Sequence, residues 1–240
     1  MASPERLRQL LGLIDLTSLN DAKDDDIVAL CTKAQTPHGP VAAVCSWPAF
    51  AGQMTEALEG TGIPSAVVIN FPSGEGTVQS AVLEAEAAVA SGARELDLVW
   101  PYRAWQGGDR RAAVELVGAV KRAGRDARLK VILESGAFDS LEALGAASRD
   151  VIAAGADMLK TSTGKIPLGA SLPAARVMLE QIKSSGQPVG FKASGGIRSV
   201  AEAEAYLALA EEVMDQDWPT AANFRIGASR LLDQILDQLL

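Results

Sequence analysis

A single (β/α)8 barrel with a short extra N-terminal helix is the fold class this sequence predicts, and three observations predict it. The chain has 240 residues, near the roughly 250 of a typical barrel of this kind. Eight short apolar runs rich in β-branched residues recur about every 30 residues. Between them lie stretches rich in Ala, Leu and Glu whose apolar residues follow the helical period. Near-continuous apolar strands alternating with helices describe a parallel sheet covered by helices.

The elements follow in order. Ser3-Pro4-Glu5 opens the extra helix, with a serine cap and a proline at the first helical position. The strand runs are residues 13–17, 41–45, 66–71, 96–100, 130–134, 158–161, 189–192 and 224–227. Ala112, Val114, Leu116, Val117 and Val120 mark the apolar stripe of one intervening helix. Gly92-Ala93 and Gly155-Ala156 end helical runs ahead of strands, as C-terminal glycines do. No linker or shift in composition divides the chain, so residues 1–240 read as one domain. An open doubly wound sheet is the alternative, disfavoured because no Gly-x-Gly-x-x-Gly follows the first strand.

Composition excludes several function classes. Hydrophobic residues make up 48% and charged residues 22%, which is globular rather than disordered. Two cysteines, Cys31 and Cys45, cannot build a disulfide framework or a four-thiolate zinc site. The one histidine, His38, excludes chemistry that needs paired imidazoles. No metal and no cofactor are therefore expected. The formal charge of −8 argues against a nucleic-acid partner. No stretch approaches the ~20 apolar residues of a membrane helix, and no basic and apolar leader opens the chain. Free cysteines and no export signal lead to an expected cytoplasmic location.

The apolar runs carry charges that a strand inside a helical shell should lack, because an unpaired buried charge costs several kcal/mol. Asp15, Asp97, Lys130, Glu134, Lys160 and Lys192 all interrupt or end them. In a barrel, such positions are expected at or near the C-terminal face, where active sites form. Asp97 and Lys160 are each expected near the carboxyl end of their strand. Alternation places Lys160 with Met158 and Ser162, and Lys192 with Gly190 and Ser194. Two lysines facing one lumen disfavour each other's charge, so one amine is expected to lose its proton more readily. A neutral amine attacks carbonyls and forms a Schiff base. Asp97 is then placed to shuttle a proton or hold a water.

Glycine segments follow the last two strands: Ser194-Gly195-Gly196-Ile197-Arg198 and Ile226-Gly227-Ala228-Ser229. Backbone amides at such turns, backed by a helix N-terminus, form an anion site. Barrels often hold phosphate at these two loops. Lys165 is expected to add a cation there.

Several longer segments resemble one family. They are Asp15-Leu16-Thr17-Ser18-Leu19-Asn20, Asn70-Phe71-Pro72, Glu95 through Arg103, Leu159-Lys160-Thr161-Ser162-Thr163-Gly164-Lys165, and Gly190 through Arg198. Together they resemble the deoxyribose-phosphate aldolases, which are class I, Schiff-base aldolases. The resemblance implies a (β/α)8 barrel that reversibly cleaves 2-deoxy-D-ribose 5-phosphate to acetaldehyde and D-glyceraldehyde 3-phosphate. By motif it makes Lys160 the Schiff-base lysine, Lys192 the lysine that tunes it, and Asp97 the acid/base partner. Asp15 is implied to line the pocket on the substrate side. Cys45 matches a pocket cysteine that aldehyde products can trap in some members. Gly195, Gly196, Gly227 and Ser229 fall where the family holds phosphate, and Thr17, Thr163 and Lys165 join the expected substrate contacts. The implied partners are small sugar phosphates and aldehydes, with a homodimer as the expected assembly.

Two departures from the family pattern stand out. The family run continues Gly-Ala-Ser-Ser, whereas here Arg230 follows Ser229. Arg230 is expected either to contact phosphate or to pair with Asp233 on the last helix. Some members end in a mobile tail whose tyrosine assists proton transfer. This sequence has no tyrosine after Tyr206, so that role is expected to be absent or filled by water. His38 reads as a solvated loop residue, Cys31 as core, and Trp105 and Trp218 as packing or rim residues. Competing readings are a lysine-dependent aldolase with another aldehyde pair and a catalytically dead sugar-phosphate binder.

Overall fold

A computed structural model describes residues 2–19 and 26–240. Asn20, the last residue of the first family segment, lies outside them, as does Met1. The strands are β1 (Ile14–Thr17), β2 (Ala43–Ser46), β3 (Ser65–Ile69), β4 (Glu95–Val99), β5 (Arg128–Ile132), β6 (Met158–Lys160), β7 (Gly190–Ser194) and β8 (Phe224–Ala228). All pair in parallel around a closed ring. Asp15 lies opposite Gly227 on β8 and opposite Ala43 on β2, so β1 has two neighbours and closes the barrel. That closure excludes the open doubly wound sheet.

Ten helices are described: α1 (Pro4–Leu11), α2 (Ile27–Lys33), α3 (Ala51–Ala57), α4 (Val78–Ala90), α5 (Tyr102–Gln106), α6 (Arg110–Ala123), α7 (Leu141–Ala153), α8 (Leu172–Ser185), α9 (Val200–Val213) and α10 (Leu231–Leu239). The extra helix α1 starts as its sequence dictates. Ser3 Oγ accepts from the Arg6 amide at 3.2 Å, and Pro4 takes the first turn. Its leucines at 7, 10 and 11 are buried on one face, and Arg6 forks onto Glu211 of α9. Gly92 and Gly155 follow α4 and α7 with φ of 92° and 97°. That left-handed backbone lets the chain turn into the next strand.

Six of the eight strands have an apolar and a charged face, whereas β2 and β3 carry no charge. One set, with Ile14, Leu16, Val67, Leu96, Leu98, Val131, Leu159, Phe191 and Ile226, packs outward into the layer beneath the helices. The alternate set faces the lumen. Branched apolar side chains usually fill a barrel of this kind. Here the lumen holds Asp15, Glu95, Asp97, Lys130, Lys160, Lys192 and Arg225, all buried.

Local differences from the sequence reading have local causes. Gln35–Thr36 and Gly39–Pro40 form a small antiparallel hairpin with His38 in its turn. Thr36 Oγ donates to the Gly39 carbonyl at 2.6 Å and accepts from the His38 amide, which closes that turn. The strand runs expected over 66–71 and 130–134 stop earlier. Asn70 and Glu134 adopt left-handed backbone, at φ 55° and 56°, which a strand cannot continue. On α6 the buried stripe passes through Ala113, Leu116, Val117 and Val120, leaving Ala112 and Val114 half-buried. Trp105 is core and donates its indole N–H to Asp150 at 2.8 Å. Among the described residues no helix is long and apolar enough to cross a membrane.

The buried face of α1 gives a stability expectation. Leu10 is wholly buried, so Leu10→Ala should cost about 2–5 kcal/mol through lost transfer energy and a residual cavity. Urea unfolding followed by circular dichroism measures it, with activity per folded molecule unchanged.

Candidate active site

Strand register brings the lumen charges together. Asp97 on β4 is level with Lys130 on β5, and Lys160 on β6 is level with Lys192 on β7. Asp97 is the point on which three ammonium groups converge. Its Oδ1 accepts from Lys130 at 2.8 Å, and its Oδ2 from Lys160 at 2.6 Å and Lys192 at 2.7 Å. Asp15 on β1 lies 2.6 Å from Lys192, 3.1 Å from Lys130 and 2.6 Å from Arg225. Glu95, two residues before Asp97, completes the floor at 2.6 Å from Lys130 and 3.0 Å from Arg225. Burying so many charges is tolerable only because each meets an opposite charge at hydrogen-bonding distance.

The balance of charge singles out one lysine. Asp15, Glu95 and Asp97 are three carboxylates, matched by Lys130, Lys192 and Arg225 as three cations; Lys160 is the fourth. Burial pushes the Lys160 amine below its ordinary value; Asp97 opposes this and Lys192 reinforces it. Lys192 moves the other way: Asp15 and Asp97 outweigh its burial and hold it above the ordinary lysine value. Lys130, with three carboxylates around it, is raised further still. The lysine pair therefore splits in the expected sense, but burial rather than mutual repulsion is the largest cause for Lys160. Burial would raise Asp97, yet its lysines outweigh that and hold it well below the usual carboxylate range. Asp97 is thus an ionised acceptor in this arrangement.

Lys160 is the last residue of its strand and opens onto a cavity of about 370 Å³. Thr17, Ser18, Leu19, Ser162, Thr163 and Lys165 line one side. Ser194, Gly195, Gly196, Ile197, Arg198, Gly227, Ala228, Ser229 and Arg230 line the other. Among the described residues no carboxylate lines it, whereas Lys160, Lys165, Arg198 and Arg230 do. Gly195 and Gly196 have φ of 92° and 94°, a backbone that L side chains rarely adopt. A Cβ at Gly169 would meet the Gly195 carbonyl oxygen at 2.3 Å, so the two loops touch through glycine. Glu134 clamps the far side of the cavity, accepting from both the amide and the hydroxyl of Thr163. Lys165 donates to the Leu19 carbonyl at 2.9 Å, joining the loops after β6 and β1.

The expected site residues divide by depth. Thr17, Lys160, Thr163, Lys165, Gly195, Gly196, Gly227, Ser229 and Arg230 all reach the cavity. Asp15, Cys45, Asp97 and Lys192 do not line it and lie wholly buried. Asp97 and Lys192 sit in the middle of their five-residue strands, so the expected position of Asp97 near its strand end is corrected. Asp15, expected to line the pocket, is instead committed to Lys130, Lys192 and Arg225. Cys45 makes one long contact, its Sγ donating to Asp97 Oδ2 at 3.9 Å, and burial pushes its thiol up. Arg230 precedes α10 as its cap and is exposed. The alternative pairing with Asp233 is not formed, since Asp233 holds Lys33 at 2.6 Å. Glu95, Arg225 and Arg198 had been given no role. The first two are charges in or beside apolar strand runs, the same signal that marked Lys160.

Gly227 offers a direct test of this packing. A Cβ there would lie 2.9 Å from Ser194 Cβ and 3.1 Å from Lys192 Cε. Gly227→Ala should displace Lys192 and lower kcat about tenfold or more, since small misplacements near reacting groups are costly. Steady-state kinetics with a parallel thermal melt separate this from unfolding.

Comparison with known proteins agrees with this geometry. Residues 10–233 match the model of the DeoC/LacD family aldolases. A deoxyribose-phosphate aldolase of Agrobacterium fabrum (strain C58 / ATCC 33970) is 45% identical over 232 residues, covering 95% of this chain and 90% of its own. A tetrameric deoxyribose phosphate aldolase from Aeropyrum pernix superposes with a TM-score of 0.78 at 27% identity, covering 99% of this chain and 92% of its own. A crystal structure from Coccidioides immitis, assigned as a deoxyribose-phosphate aldolase, gives a TM-score of 0.86 at 30% identity, with coverage of 100% and 89%. The chain belongs to the DeoC/LacD family of aldolases.

Proposed function

We propose that this enzyme is a 2-deoxy-D-ribose-5-phosphate aldolase that works through a Schiff base on Lys160. The observation that carries the reading is one cavity with an uncharged-prone lysine at its base and a cationic, glycine-turned wall in which no described residue is a carboxylate. The first suits an aldehyde and the second a phosphate. The 45% identity to the Agrobacterium deoxyribose-phosphate aldolase supports the same substrate.

The chemistry follows from the geometry. The Lys160 amine adds to C1 of the open-chain sugar, and loss of water leaves an iminium. Loss of the O3 proton then breaks the C2–C3 bond and releases D-glyceraldehyde 3-phosphate. The electron pair of that bond becomes the C1–C2 double bond of an enamine. Protonation at C2 and hydrolysis release acetaldehyde and restore the amine. Lys192, charged at rest beside Asp97, gives the proton that C2 takes up, and the proton released from O3 is passed through water and Asp97 to restore it. Asp97, ionised at rest, orients both amines. No group of three or more His, Cys, Asp or Glu among the described residues is placed to hold a metal; the lysine supplies the electron sink. Asp15 holds Lys192 from below, and Cys45 packs against Asp97. Two buried free cysteines suit a reducing cytoplasm, and a homodimer is the assembly we expect.

Acetaldehyde with borohydride should add one two-carbon unit to Lys160, read by peptide mass mapping, and Lys160→Ala should abolish turnover. Label on Lys192 or Lys165 instead would overturn the assignment. Arg230 tests the phosphate wall. Its guanidinium can grip phosphate with two hydrogen bonds, which the family's serine cannot. Arg230→Ser should raise KM for the phosphorylated sugar by about tenfold and leave cleavage of unphosphorylated 2-deoxyribose nearly unchanged.

A further inference from the structure

Glu95 and Arg225 are charged, buried and remote from the cavity. Neither lines it, and neither touches Lys160. Apolar side chains of similar volume would fill this part of a barrel without the desolvation cost of an ion pair. Yet the two are tightly built in. Arg225 spans Asp15 at 2.6 Å and Glu95 at 3.0 Å, and its Nε donates to the Ala221 carbonyl. Glu95 in turn holds Lys130 at 2.6 Å, and Lys130 holds Asp97 at 2.8 Å. An unbroken chain of charged contacts thus runs from the floor of the lumen to the carboxylate that touches Lys160.

The sum of these charges matters for the amine. With Lys160 neutral, the three carboxylates and three remaining cations cancel. With Lys160 protonated, the lumen carries one uncompensated positive charge. Removing Glu95 or Arg225 shifts that balance by one unit in opposite directions, in a region where charge is poorly screened.

We propose that Glu95 and Arg225 are positioning residues: through Lys130 and Asp15 they fix the orientation of Asp97 and Lys192, and they set the charge balance that governs protonation of Lys160. The groups facing Lys160 are Asp97 from β4, Lys192 from β7, Cys45 from β2, and Glu134 beyond the end of β5. Lys130, Asp15, Glu95 and Arg225 form the ring beneath. This inference rests on the proposed imine at Lys160 and extends it to residues that never meet substrate.

The test follows the rate at which cyanoborohydride traps the acetaldehyde adduct on Lys160 as pH rises. In wild type, trapping should increase as the amine loses its proton. Glu95→Gln removes a negative charge, so its midpoint should fall to lower pH. Arg225→Gln removes a positive charge, so its midpoint should rise. Each shift should reach about half a pH unit, a roughly threefold change in the amine fraction. KM for the sugar phosphate should stay within about twofold, because the cavity wall is untouched, while kcat falls. Glu95→Asp should restore the wild-type midpoint. Arg128→Gln covers the case where a lumen variant does not fold. Arg128 is half-exposed, 3.4 Å from Glu95 Oε1, the oxygen that Arg225 also holds, and its loss should move the midpoint as Arg225→Gln does, by less. Midpoints that move the same way in both lumen variants, or stay fixed while thermal stability drops, would show a structural role alone. A fixed midpoint in Arg128→Gln would overturn the proposal where the lumen variants fail. No adduct on wild-type Lys160 would overturn both this inference and the Schiff-base reading beneath it.

Discussion

Asp97 is a carboxylate shared by three ammonium groups in a lumen closed to water, and most of the site follows from it. One oxygen holds Lys130 while the other holds both Lys160 and Lys192. Remove it and three cations would face one another across a barrel interior, each costing several kcal/mol to keep dry. The carboxylate therefore does two jobs. It makes burial of the lysines tolerable, and it holds Lys160 beside a charged Lys192. The opposite displacements of these two neighbouring amines arise from that arrangement. Lys192 has a second carboxylate in Asp15, and Lys160 has no second one among the described residues.

Depth along the barrel axis sorts the remaining roles. Lys160 ends its strand and reaches the cavity, whereas Lys192 and Asp97 sit mid-strand and act from beneath it. The cavity wall comes instead from the ends of β1, β6, β7 and β8 and the loops that follow them, where glycines let backbones approach to within contact. Lys160 and the wall proposed to take the phosphate are joined by the lumen network below and by the Lys165–Leu19 contact above.

Much of this was legible in the sequence, for definable reasons. Lys160, Lys192 and Asp97 announce themselves as charges inside β-branched runs, where an unpaired charge would be prohibitive. The eight runs and the glycines after helices fix the barrel because periodicity and punctuation are local signals. Arg225 carries the same signal between Phe224 and Ile226, beside glycines that mark a turn. Glu95 lies one residue before the expected run of 96–100, where a charge is unremarkable. Family resemblance puts Asp15 and Cys45 at the pocket, and alternation cannot correct it, because alternation distinguishes inward from outward but says nothing about height; both lie beneath the cavity. Asn70 and Glu134 break their strands through left-handed backbone, a conformation in which Asn is enriched but which Glu does not advertise. The Arg230–Asp233 alternative failed because Lys33, distant in sequence, takes Asp233.

The closure of the ring has a consequence for how the molecule is made. Asp15 and the Arg225 that neutralises it are 210 residues apart, and β1 finds its second neighbour only in β8. A partly synthesised chain can assemble consecutive strands and helices, because each βα unit contacts the next. The lumen stays open on one side until β8 arrives between β7 and β1, so the contacts of Arg225 with Asp15 and Glu95 and the closure of the ring form together.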